Sequence, residues 1–220
     1  MRVSPEENPS TAISWNTTAV NPIDAMTHSG RETEIKLALA DVKTGRALLR
    51  RAGFRVTRRR VFERNRMFDT PEGALRKSGS LLRVRQAGRA VTLTYKGPAA
   101  VSRYKSREEV ETRVPDAAVI AVILERLGFR PIFRYEKYRT EYGHPDGGGV
   151  ATLDETPIGV FMELEGTPRW IDHAARQLGF AECDYITSSY GRLFLEWRHR
   201  QGLDMATDMV FESRTNSHGR

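Results

Sequence analysis

The stretch Glu32-Thr33-Glu34-Ile35-Lys36 decides how this chain folds. Strand side chains alternate between faces with a period of two. Glu32, Glu34 and Lys36 therefore share one face, and Thr33, Ile35 and Leu37 share the other. The pattern returns as Glu109-Val110-Glu111 and as Glu163-Leu164-Glu165. After each pair comes a helical segment that closes on Gly-Phe: Gly53-Phe54, Gly128-Phe129 and Gly179-Phe180. Each repeat offers a carboxylate pair on one side of a sheet and an apolar side for a helix to cover. Two carboxylates beside a lysine suit a hard divalent cation that carries phosphate oxygens.

Outward from that stretch, strands and helices alternate. Strands are expected at 31–40, 55–68, 81–86, 90–96, 107–114, 130–142, 150–155 and 158–165. Helices are expected at 42–52, from the Asp116 cap to Leu127, at 168–178 and at 187–198. Glycine after the last apolar position stops a helix, and aspartate before the first one starts it. Asp69–Gly79, with one Pro and two Gly, reads as a loop with at most one helical turn. Residues 1–29 and 201–220 are polar and aperiodic and read as a flexible leader and tail, which leaves 30–200 as the folded domain. Met26 lies close before Glu32 and is an alternative start of translation. Mostly consecutive strands favour an antiparallel meander closed as a barrel.

Composition narrows the partners. The 220 residues carry a net charge of +7 with 29% charged side chains. Such a balance suits an anionic partner, either nucleic acid or a small polyphosphate. The apolar runs are too short to cross a bilayer, and the N-terminus shows no secretory pattern. The single cysteine, Cys183, has no partner for a disulfide or a zinc site. A cytoplasmic protein is expected. No GxxxxGK[ST] phosphate loop is present. His144 and Cys183 have no neighbours that suggest nucleophilic catalysis.

The polar faces of the strands carry mostly Arg, Lys and Glu. Arg83 and Arg85 share a face, as do Thr92, Thr94 and Lys96, then Arg107, Glu109, Glu111 and Arg113, then Lys137 and Arg139. A solvated face would explain any one of these strands. Taken together they describe long charged side chains converging on a lumen, because the amphipathic helices claim the opposite face. Enclosed charge on that scale is costly unless it is paired or binds ions.

These residues resemble the CYTH superfamily, also called triphosphate tunnel metalloenzymes. ETEIK is similar to the family's ExExK signature. MFDTPEGALRKSGSLLRVR, TYKGP, SREEVET, EKYR, LDETPIGVFMELEG and a late helix containing SY follow in the family's order, over about residues 31–198. The pattern looks closest to the class IV adenylate cyclase and thiamine triphosphatase branch.

The resemblance implies an α+β fold: an eight-stranded antiparallel β-barrel, the triphosphate tunnel, with helices packed outside. It implies Mg²⁺ or Mn²⁺ held by Glu32 and Glu34, helped by Asp154, Glu163 and Glu165. Asp154 is chosen over Glu155 by alternation. Phosphate oxygens would go to Lys36, Arg83, Arg85, Lys96, Lys137 and Arg139. Glu109 and Glu111, with Lys36, would be catalytic. The implied partner is a small-molecule triphosphate, with neither nucleic acid nor membrane expected; oligomeric state is not legible. Hydrolysis of tripolyphosphate, thiamine triphosphate or a nucleotide ranks first. Cyclisation of ATP to cyclic AMP and pyrophosphate ranks second, and non-catalytic binding of polyphosphate or RNA third.

Overall fold

A computed structural model describes residues 28–204 and 208–212. The element order is β1 (His28–Leu39), α1 (Val42–Arg51), β2 (Arg55–Asp69), α2 (Ala74–Lys77), β3 (Leu81–Ala87), β4 (Ala90–Lys96), β5 (Ala100–Val101) and β6 (Lys105–Val114). It continues with α3 (Ala117–Arg126), β7 (Arg130–Gly143), β8 (Gly149–Thr156), β9 (Gly159–Gly166), α4 (Pro168–Gln177) and α5 (Tyr190–Arg200). Every strand pairs antiparallel with its neighbours, in the order β1-β9-β8-β7-β2-β3-β4-β6-β5. A further β1–β6 pairing closes the first eight of these into a barrel, with Glu32 opposite Arg107 and Glu34 opposite Lys105. The two-residue β5 hangs on β6 outside that ring. This is the expected eight-stranded barrel. Among the described residues no helix is long and apolar enough to cross a membrane.

β1 can serve two partners because its halves divide the work. His28–Glu34 pairs with β6, and Glu34–Leu39 pairs with β9. Its apolar face, Ile35 and Leu37, is fully buried with Leu153, Met162 and Leu164 beneath α1 and α4, against Leu49, Ile171 and Ala174. A second cluster, Phe68, Val84 and Val91, lies under Ala121 and Leu124 of α3. With apolar faces claimed by helices outside, the polar faces are left to the lumen.

The three strand-to-helix repeats end alike. Gly53, Gly128 and Gly179 all have positive φ, at 83°, 93° and 89°. Each glycine N–H donates to the carbonyl three residues back, and each following phenylalanine N–H donates to the carbonyl five back. That is the Schellman ending, which only glycine adopts without strain. Asp41, Asp116 and Thr167 cap the other ends. Gly45 lets α1 lie close on the barrel: a Cβ there would meet Leu153 Cδ1 at 2.6 Å and Leu39 Cδ1 at 2.8 Å.

The ends differ from expectation. β1 begins at His28, inside the stretch read as leader, because His28 and Ser29 pair with Glu111 and Val110. The rest of that leader, Met26 included, lies outside the described residues. Within the stretch read as a flexible tail, Met209 is fully buried and exchanges backbone hydrogen bonds with Arg134 and Glu136. β8 pairs with β7 only from Tyr138 onward, so residues 208–211 fill the edge it leaves open. α5 starts at Tyr190 rather than residue 187, because Ser189 caps it and Ile186 bridges to Lys36.

Candidate active site

A cavity of about 150 Å³ lies inside the barrel, below the N-terminus of α5. Alternation along the strands brings Glu32, Glu34 and Lys36 from β1, Arg83 and Arg85 from β3, Lys96 from β4, and Lys105 and Arg107 from β6 to its wall. Lys137 and Arg139 from β7 and Glu163 from β9 complete the charged lining.

These charges are paired in chains rather than left free. Lys36 Nζ lies 3.1 Å from Glu34 Oε1 and 3.2 Å from Glu163 Oε1. Lys105 Nζ donates to the same Glu34 oxygen at 2.8 Å. Lys96 Nζ bridges Glu32 at 2.5 Å and Glu109 at 3.0 Å. Arg139 spans Asp154 and Glu163. Burial opposes the charge on each of these groups, and only the partners retain it. Burial would raise Glu34, yet Lys36, helped by Lys105 and Lys96, outweighs both burial and Glu163 and brings it to about 2. Burial likewise works against Lys36, but Glu163 and Glu34 hold it above its ordinary range. Lys105 is the exception: burial lowers it despite Glu34.

Asp154 sits where three donors converge. Lys137 Nζ donates at 2.8 Å, Arg139 Nε at 2.7 Å and the Tyr190 hydroxyl at 2.7 Å. Asp154 thus serves as the common partner of two buried cations and the phenol of α5. Glu109 and Glu111 stand beside the cations of β3 and β4. Glu111 accepts from Thr94 at 2.5 Å and lies 3.6 Å from Arg83, and Glu109 lies 3.9 Å from Arg83. Arg107 turns from these carboxylates to the carbonyls of Gly97, Lys96 and Gly79, which ties down the turn that carries Lys96.

Glu32, Glu34 and Glu163 all stand close enough to repel the Glu165 carboxylate. Glu34 pairs across strands with Glu165, and Lys36 with Glu163. The Glu165 side chain makes no hydrogen bond or salt bridge among the described residues. It is exposed at the end of β9, and partial desolvation, then Glu32, Glu163 and Glu34 against Lys96, pushes it up to about 7. The donors that these four side chains offer are all carboxylate oxygen, the set that Mg²⁺ or Mn²⁺ takes. Among the described residues no three His, Cys, Asp or Glu side chains stand ready-grouped around a metal position. The lysines occupy the carboxylates instead.

Residues 30–190 match the CYTH domain family. The chain belongs to that family. A Methanocaldococcus jannaschii protein named as a candidate adenylate cyclase is 30% identical over 135 residues, 61% of this chain and 75% of that protein. A solved Pyrococcus horikoshii protein is 28% identical, with a TM-score of 0.63 over 75% of this chain and 98% of its own. A Hippeastrum protein, named as a candidate adenylyl cyclase with a dominant triphosphatase activity, shares the fold. It is 20% identical, with a TM-score of 0.55 over 79% of this chain and 97% of its own.

The CYTH motifs carry most of the lining, and Lys105, Glu63 and Tyr135 fall outside them. Lys105 lies before the strand expected from Arg107, although period two places it with Arg107 and Glu109 and the strand begins there. Glu63, fully buried on β2, is the one acid in the arginine-rich stretch 55–68. Tyr135 lies on β7 two positions before Lys137, and its hydroxyl is 3.4 Å from Arg83 Nη1. Tyr190 is the tyrosine of the SY pair on the late helix. Its ring does sit in an apolar cluster, but Lys36 Nζ and Lys137 Nζ lie 5.2 and 5.0 Å from its centroid.

Proposed function

We propose that this CYTH protein is a divalent-metal-dependent enzyme that hydrolyses a phosphoanhydride of a triphosphate seated in the barrel. One observation carries the reading. The 150 Å³ cavity is lined by eight cationic side chains, Lys36, Arg83, Arg85, Lys96, Lys105, Arg107, Lys137 and Arg139, against three carboxylates, Glu32, Glu34 and Glu163. A surplus of that size in an enclosed space calls for a compact polyanion.

Phosphoryl transfer asks a protein mainly for positioning and for neutralising the charge that spreads over phosphate oxygens. Arg83, Arg85 and Arg139 supply forked donors, and Lys36, Lys96, Lys105 and Lys137 supply point charges. Without substrate these groups rest on Glu32, Glu34, Glu109, Glu111, Asp154 and Glu163, so a triphosphate enters by exchanging carboxylate partners for phosphate. Glu109 and Glu111 position Arg83 and Lys96. Glu32, Glu34, Glu163 and Glu165 would hold Mg²⁺ or Mn²⁺, and Asp154, already holding three donors, is left out of that set. The ion, when bound, supplies charge neutralisation and a more acidic water. Glu165, lacking a cation of its own, gains most from it.

Cyclisation of ATP is the second reading, favoured by the name of the M. jannaschii relative. Hydrolysis ranks first because water is always at hand, whereas cyclisation requires one ribose pose. The test is Arg83→Ala assayed with tripolyphosphate and ATP. Loss of one preorganised donor is expected to lower kcat by roughly 10²–10³-fold, and removal of the divalent ion should stop turnover. Wild-type rates in Arg83→Ala, or full activity in a chelator, would contradict the proposal.

A further inference from the structure

The chain's net charge of +7 is concentrated in one stretch. Between residues 42 and 62 stand Lys43 and seven arginines with no aspartate or glutamate, so the rest of the chain is close to neutral. The tunnel does not account for this surplus, because its cations rest on lumen carboxylates. The basic stretch is α1 and the first half of β2. Lys43, Arg46, Arg50 and Arg51 are exposed on α1, and all six residues of Arg55–Arg60 are exposed on β2.

A strand in a barrel wall buries every second residue, so six exposed residues in succession mean that this end of β2 stands clear of the wall. β3 pairs with β2 only from Glu63, and β7 runs along the other edge, with Arg55 opposite Gly143 and Arg58 opposite Glu141. The Arg46 side chain reaches the Tyr142 hydroxyl on β7, so α1 and the start of β2 share this end of the barrel. Two of the arginines are neutralised, Arg58 by Glu141 at 3.1 Å and Arg60 by Glu155 at 2.7 Å. The side chains of Arg50, Arg51, Arg55 and Arg59 make no hydrogen bond or salt bridge among the described residues. Charge on an open strand edge discourages pairing with another chain, which explains the arginines of β2. It does not explain α1, which has no such edge.

The chemistry of the face selects its partner. Seven of the eight cations are arginine, whose planar fork takes two oxygens of one phosphate. Val56, 51% exposed, is the one large apolar side chain left to water in this stretch. That is too little to enter a bilayer or to anchor a protein interface. Arg55–Arg60 covers about 17 Å at the rise of a strand, about five phosphate steps along one strand of a duplex. We propose that this outer face, α1 with the start of β2, binds the phosphate backbone of nucleic acid without reading its sequence. The tunnel lies inside the barrel and takes no part in it, so the inference stands apart from the triphosphate reading.

The test is fluorescence anisotropy of the full chain with two labelled DNA duplexes of unrelated sequence and about 20 base pairs, in salt from about 50 to 200 mM. Both duplexes should bind alike, with log K falling against log salt at a slope of about −4. The triple variant Arg51→Gln/Arg55→Gln/Arg59→Gln should shed about 2–3 of that slope. It should keep the wild-type Tm and tripolyphosphate turnover, because the three side chains are exposed and bond to nothing. Arg83→Ala should bind the duplexes like wild type. Absence of binding in the wild type, an unchanged slope in the triple variant, or equal loss in Arg83→Ala would overturn the inference. Poly-glutamate or phosphatidylserine vesicles that bound as tightly as the duplexes, and lost it in the triple variant, would overturn the choice of nucleic acid.

Discussion

The hydroxyl of Tyr190 donates a 2.7 Å hydrogen bond to Asp154 Oδ2 and so fastens the first residue of α5 to the inside of the barrel. Asp154 is fully buried and also receives Lys137 and Arg139. Removing the carboxylate leaves two buried cations facing each other, whereas removing the phenol leaves a paired carboxylate. Asp154→Asn should therefore destabilise the apo protein by about 3–5 kcal/mol, and Tyr190→Phe by about 1–2 kcal/mol. Urea unfolding without metal checks both. If Asp154→Asn unfolded like wild type but bound metal poorly, Asp154 would belong with the metal ligands.

Glu63 contributes to acid stability alongside Glu34 and Glu163. Its oxygens accept no hydrogen bond, and the nearest cations are Arg85 Nε at 3.5 Å and Lys137 Nζ at 3.8 Å. Burial would raise this carboxyl, but Arg85, Lys137, Arg139 and Arg83 together pull it down to about 2 from 4.5. A carboxyl depressed on folding stabilises fully above its unfolded pKa and loses that contribution as pH falls through the folded value. About 3 kcal/mol should thus disappear between roughly pH 4.5 and 2. Glu63→Gln should be less stable at neutral pH and show a flatter acid limb in urea midpoints. Parallel limbs would refute the assignment.

Tyr135 should report on tunnel occupancy. Burial raises its phenol, yet Arg83, Arg85 and Lys137 bring it down to about 8. Ultraviolet titration should show one tyrosine ionising near pH 8 that disappears in Tyr135→Phe. Phosphate that engages Arg83 and Arg85 removes the cause, so a bound triphosphate analogue should move the midpoint upward. A midpoint that ignores the analogue would place the phosphates elsewhere.

Gly45 tests the seating of α1. Alanine is worth about 1 kcal/mol more than glycine in a helix interior. Here the added Cβ would strike Leu153 and Leu39 at 2.6 and 2.8 Å. Gly45→Ala should lower the Tm in spite of its propensity, and Gly45→Val should lower it further through overpacking of about 1–3 kcal/mol. A rise in Tm with alanine would mean that α1 can lift away from the barrel at little cost.

The barrel was legible because its signals are local and repeated. Period-two alternation named the lumen face of β1, β3, β4 and β7, and the Gly-Phe endings named where α1, α3 and α4 stop. What escaped was long-range. Nothing local shows that β1 closes on β6, or that Met209 docks on the open edge of β7. Asp154 was legible as a lumen residue, but its company of Lys137, Arg139 and Tyr190 depends on β7, β8 and α5 meeting. The pairing of nearly every lumen carboxylate with a cation is likewise a property of the closed barrel.

The most direct test of the central claim is phosphorus NMR of the wild-type protein with Mg²⁺ or Mn²⁺ and, in separate tubes, ATP and tripolyphosphate. Orthophosphate should appear beside ADP and beside pyrophosphate, and both signals should grow far more slowly in Arg83→Ala and vanish in chelator. Pyrophosphate with cyclic AMP from ATP would keep the triphosphate tunnel and replace hydrolysis by cyclisation. Unchanged spectra in every wild-type tube would contradict the claim that this barrel is a triphosphate enzyme.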